Sequence, residues 1–114
     1  MNGDTNESPA REWTRAEVDA TPGLVLLEFG ATWCEFCQAF KPHLEAQLRK
    51  HPEVVHLTVE DGPGRPLGRS FRVKLWPTLV YLRDGQVIRQ LARPRPEDVE
   101  AAMQELVGYP GRAS

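Results

Sequence analysis

The stretch that decides the fold reads Leu24-Val-Leu-Leu-Glu-Phe-Gly-Ala-Thr-Trp-Cys-Glu-Phe-Cys37. Leu24 to Phe29 is an apolar run broken only by Glu28, and Pro22-Gly23 and Gly30 bound it. A short apolar run between such punctuation predicts a buried strand. From Cys34 to Lys50, Phe36, Phe40, Leu44 and Leu48 recur every four residues, which predicts one apolar face of a helix that opens at Cys34. Pro42 lies inside that helix and predicts a kink there.

Upstream, Thr14 followed by Glu17 has the spacing of a capping box, so a short helix is expected to start there and to end before Pro22-Gly23. Downstream, Val54 to Val59 is rich in β-branched residues and predicts a second buried strand. Residues 61–66 (DGPGRP) form a turn-rich loop, and a short helix is expected over Leu67 to Phe71. Asp84-Gly85 separates two strand-like runs, Thr78 to Arg83 and Gln86 to Leu91, which is the signature of a type I′ hairpin. Glu97 to Val107 carries Val99, Met103, Leu106 and Val107 and predicts a closing amphipathic helix, with Gly108 as its C′ residue.

A strand, a helix and a strand in succession imply a parallel pair, and the hairpin adds antiparallel strands. The expected architecture is α/β, a three-layer mixed β-sheet flanked by helices. At 114 residues the chain has room for one domain, expected over residues 12–108. A polar, flexible segment is expected over 1–11 and a short tail over 109–114. With 26% charged residues and a formal net charge of −2, no basic surface for nucleic acid or membrane stands out. No signal peptide and no bilayer-length apolar run is visible, so a cytoplasmic monomer is the expectation.

The two cysteines, Cys34 and Cys37, are two residues apart. In a reducing compartment such a pair is a redox centre or half of a metal site rather than a staple. Zinc would need two more ligands, and His43, His51 and His56 supply no second close pair, so no metal is expected. At a helix N-terminus, unpaired backbone N–H groups and the helix dipole favour a thiolate. Cys34 is then the nucleophile that forms a mixed disulfide, and Cys37, one turn deeper, resolves it.

These residues resemble the thioredoxin family. The strand with Trp33 and Cys-Glu-Phe-Cys is similar to the family's active-site stretch, and Pro42 to the proline of its active-site helix. Trp76-Pro77-Thr78 resembles its cis-proline loop, and Leu79 to Val87 the hairpin that follows. The resemblance implies a thioredoxin fold and a thiol–disulfide oxidoreductase that reduces protein disulfides. It needs no cofactor beyond the Cys34–Cys37 pair and is recharged by a reductase or other electron donor. It also implies that Pro77 is cis and leaves neighbouring backbone open to an extended substrate, a β-augmentation. Trp33 would flank the dithiol in the docking surface. Glu28 matches the family's buried acid beneath the resolving cysteine, and His56 aligns with the lysine that accompanies it. Glu28, with His56 nearby, would be the general base for Cys37.

Several positions depart from the family pattern. Glu35-Phe36 stands where ordinary thioredoxins carry Gly-Pro. Glu35 suits the helix dipole but repels a neighbouring thiolate, and Phe36 either selects apolar partners or packs as the helix's first core residue. Gly30 replaces a Trp common in this strand. Ala92-Arg93 lacks the glycine expected in the substrate groove, and Trp76 is bulky beside Pro77. These changes imply a reshaped groove. They keep a second reading open, a thioredoxin-like binding or chaperone module for one dedicated partner.

Overall fold

An apolar run is stable as a strand only if both of its faces are covered. In the computed structural model, which describes residues 12–108, Leu24–Gly30 is strand β1 with a neighbour on each side. Helix α1 (Arg15–Ala20) precedes it, and α2 (Glu35–Lys50), β2 (Val55–Glu60), α3 (Pro66–Ser70), β3 (Thr78–Arg83), β4 (Gln86–Ala92) and α4 (Pro96–Gly108) follow. The sheet order is β2-β1-β3-β4. β1 runs parallel to β2, with Leu26 opposite His56, and antiparallel to β3, with Glu28 opposite Leu79. The expected segments 1–11 and 109–114 lie outside the described residues.

The alternation of β1 separates two cores. Val25, Leu27 and Phe29 pack with Val18 of α1 and with Leu67 and Phe71 around α3. Leu26, on the opposite face, packs with Phe40 and Leu44 of α2 and with Val99, Met103 and Leu106 of α4. Leu26, Leu27 and Phe29 have no exposed surface, and each such side chain contributes roughly 2 kcal/mol by burial. The result is the three-layer mixed sheet, the thioredoxin fold.

The caps and turns follow the local chemistry. Thr14 accepts from Glu17 N–H at 3.0 Å, and Glu17 accepts from Thr14 N–H at 3.0 Å, which completes the capping box. Asp84 (φ 49°) and Gly85 (φ 83°) both take the left-handed conformation that a type I′ turn requires. Asp84 ties the turn to the start of β1 through Gly23 N–H at 2.7 Å.

Two expectations are corrected. Val54 to Val59 is not a doubly buried strand: β2 is an edge strand, Val55 is 47% exposed, and Val59 alone in β2 is fully buried. The β-branched run reports extended backbone, and the position at the sheet's edge leaves one face open. Nor does Phe36 open the apolar face of α2. It is 56% exposed, and the buried face of α2 begins at Phe40. The pairing of β3 with β4 also holds a register shift beside Tyr81 and Leu82 that no residue of the hairpin announces. Among the described residues, no helix is long and apolar enough to cross a membrane.

Candidate active site

β1 ends at Gly30, whose carbonyl accepts from Asp61 N–H at 2.8 Å. The chain then turns, with Cys34 N–H donating to the Ala31 carbonyl at 3.0 Å, and the Gln38 amide holds the Thr32 carbonyl at 2.8 Å. This turn delivers Cys34 as the N-cap of α2. Its sulfur takes the place of the usual capping oxygen and accepts from Cys37 N–H at 3.2 Å. The Cys37 thiol donates to the same sulfur at 2.6 Å. No disulfide joins the two sulfurs in this structure. Two donors converge on Cys34 Sγ, as a developing thiolate needs.

Cys37 is the opposite case. Its thiol is pushed up to about 12, first by burial and then by its hydrogen bond to Cys34 and the charges of Cys34 and Glu28; a backbone hydrogen bond at Ala31 pulls the other way. Glu28 is on the α2 side of β1, the face it shares with Leu26. Its carboxylate is 18% exposed, and Oε1 lies 2.7 Å from His56 Nε2 of the neighbouring strand. The predicted buried acid is thus a partly buried acid with a partner. Gly30 follows on the same face. A Cβ placed there would lie 2.9 Å from Cys37 Sγ, so the glycine leaves that sulfur room on that side.

The opposite wall is the loop before β3. The Trp76–Pro77 peptide bond is cis, and the Pro77 carbonyl accepts from Arg93 N–H at 2.7 Å. Trp76 meets Trp33 edge-on at 5.2 Å between ring centroids, and its indole N–H donates to Asp61 at 2.9 Å. Gly68 makes this possible, since a Cβ there would collide with the Asp61 carboxylate. Trp33 is 70% exposed, whereas Cys34 is only 5% exposed. Little of the Cys34 side chain is therefore open to a partner, and the exposed Trp33 stands beside it.

Of the site residues expected from sequence, Cys34 and Cys37 meet at the head of α2, Trp33 meets Trp76 next to the cis Pro77, and Glu28 and His56 pair on the sheet. Glu35 is exposed at the start of α2, and Ala92 is exposed where β4 pairs with Thr78. Sequence reasoning missed Asp61, Gly68 and the role of Arg93. Asp61 read only as a turn residue, and no local spacing links it to Trp76. Arg93 did carry a signal, as a bulky residue where a glycine was expected: it adopts φ 48°, donates from Nε to the Trp76 carbonyl at 3.0 Å, and lays its guanidinium 4.0 Å above the Phe36 ring. No group of three or more His, Cys, Asp or Glu side chains among the described residues could hold a metal ion.

The thioredoxin family model matches residues 7–105. The structure is similar to that of thioredoxin 2 from Pseudomonas aeruginosa PAO1 in its reduced form, with 52% identity and a TM-score of 0.73, covering 89% of this chain and 91% of that one. It is also similar to mitochondrial thioredoxin 3 from Saccharomyces cerevisiae in its oxidised form, with 25% identity and a TM-score of 0.71, covering 78% and 84%. Sheep (Ovis aries) thioredoxin is 31% identical over 84 residues, 74% of this chain and 80% of that protein. The paired sulfurs at the head of α2 thus sit in a fold and a sequence background shared with thioredoxins, and the chain belongs to the thioredoxin family of thiol–disulfide oxidoreductases.

Proposed function

We propose that the chain reduces disulfides of protein substrates in the cytoplasm, with Cys34 as nucleophile and Cys37 as resolving thiol. One observation carries this reading: Cys34 Sγ accepts both the Cys37 N–H at 3.2 Å and the Cys37 S–H at 2.6 Å. The Cys34 thiolate attacks one sulfur of the substrate disulfide. That S–S bond breaks, and the departing sulfur leaves as a thiolate and takes a proton. Cys37 then gives its proton towards Glu28, with His56 as the carboxylate's partner, and attacks Cys34 Sγ. The second substrate thiol is released, two electrons have passed to the substrate, and the protein holds a Cys34–Cys37 disulfide. A reductase or another dithiol donor restores it.

Reduction of insulin by dithiothreitol tests this reading. Acceleration that disappears in Cys34→Ser is the expected result, and no acceleration by the wild-type protein refutes it. The near-complete burial of Cys34 favours a second reading, a thioredoxin-like binding or chaperone module for one dedicated partner. In that case insulin reduction would stay slow while one protein bound tightly through the Trp33–Trp76 surface.

A further inference from the structure

An extended peptide that docks beside a cis proline uses the backbone groups of the preceding residue, because the proline itself offers no N–H. Here the preceding residue is Trp76, and its carbonyl is already taken by Arg93 Nε at 3.0 Å. Arg93 is also anchored by its own N–H to the Pro77 carbonyl at 2.7 Å, and its guanidinium plane stacks on the exposed Phe36 ring at 4.0 Å. The side chain therefore bridges the proline loop and the dipeptide between the cysteines. Among the described residues its terminal nitrogens make no hydrogen bond and no carboxylate lies within ion-pair distance of it; Glu35, one residue from Phe36, does not pair with it.

A guanidinium fixed at one edge with its outer N–H groups unused presents a planar fork, and the ligand that matches it is a carboxylate. We infer that Arg93 is a specificity-determining residue that selects substrates carrying an acidic side chain next to the disulfide cysteine. Phe36 is its platform, holding the guanidinium in place by cation–π stacking. This rests on the reductase reading above: Cys34 attacks the substrate, and Arg93 determines which substrate sits correctly for attack. This adds recognition of a substrate side chain to whatever main-chain pairing Trp76 offers, since its carbonyl keeps a second lone pair.

The test uses three disulfide-linked peptide homodimers, identical except for Asp, Asn or Lys beside the cysteine. The readout is the ratio of kcat/KM between Asp and Lys peptides, which cancels any change in the amount of folded enzyme. The wild-type ratio is expected to be about 5-fold, the scale of a partly exposed charge pair, and to shrink in 0.5 M salt. In Arg93→Gln it falls to near unity, and Arg93→Lys, which keeps the charge but loses the fork, falls between. Phe36→Ala lowers the ratio while leaving the charge in place. Equal rates for all three peptides with the wild-type protein, or an unchanged ratio in Arg93→Gln, overturn the inference and leave the reductase standing. Turnover of none of the peptides by the wild type sinks the reductase reading and the selection together.

Discussion

Cys37 shows most clearly how one residue's surroundings set its part. Burial and the hydrogen bond to Cys34 hold its proton up to about 12, and the Glu28 charge pushes in the same direction. In the proposed cycle a thiol so held needs a base to attack, so a nearby carboxylate would have two opposed effects. Glu28→Gln separates them. Alkylation of Cys37 is expected to titrate at lower pH, because one raising influence is gone, while release of substrate from the mixed disulfide slows by about 10- to 100-fold, because the acceptor is gone. Release at the wild-type rate would exclude Glu28 as the base, and an unmoved titration would show that its charge does not reach the sulfur. Tyr81 poses a different question. Its ring is fully buried, and its hydroxyl has no hydrogen-bond partner among the described residues. An unsatisfied buried hydroxyl carries its desolvation cost uncompensated, so Tyr81→Phe is expected to stabilise the fold by about 1 kcal/mol in urea unfolding. A less stable variant would mean that the hydroxyl is satisfied in solution.

The elements differ in how openly the sequence announces them. β1, the hairpin turn and α4 are legible because each carries its own signal: an apolar run between Pro-Gly and Gly, an Asp-Gly pair, and a helical period. The depth of β2 is not legible, because Val54 to Val59 has the composition of a buried strand and only the sheet order places it at an edge. The same holds for Phe36, whose spacing matches the α2 face although its side chain is exposed. Within the site, the cysteines are legible from their spacing, and Pro77 only through the family resemblance. The link from Trp76 to Asp61 could not, since it joins two loops through a hydrogen bond that depends on the missing Cβ of Gly68. The hairpin offers an element-scale prediction. Gly85 has φ 83°, and a Cβ there would strike the Asp19 carbonyl at the end of α1. Gly85→Ala therefore combines left-handed strain with a backbone clash and is expected to cost about 2 kcal/mol, read as a lower urea midpoint. A wild-type midpoint would show that α1 and the turn are free to separate.

Over the whole molecule, the layer between the sheet and α2 and α4 holds two groups that keep their protons beyond the ordinary range, Cys37 at its rim and Tyr81 at its centre. Burial is the leading cause for both. In the unfolded chain a cysteine loses its proton near 9.0 and a tyrosine near 10.0. Between pH 9 and about 12 the folded protein therefore binds protons that the unfolded chain has released. Stability falls with rising pH wherever the native state binds more protons, so this contribution is complete below pH 9 and is lost as pH climbs through the folded value. The reduced protein is expected to show a melting temperature that declines steadily above pH 9. Cys37→Ala should flatten the first part of the decline, and Tyr81→Phe the part that sets in above pH 10. Melting curves of the reduced wild type and the two variants, collected in parallel across this range, decide the matter. If all three decline together, the alkaline loss comes from groups outside this layer, and the resolving thiol is not held in its protonated form by the fold.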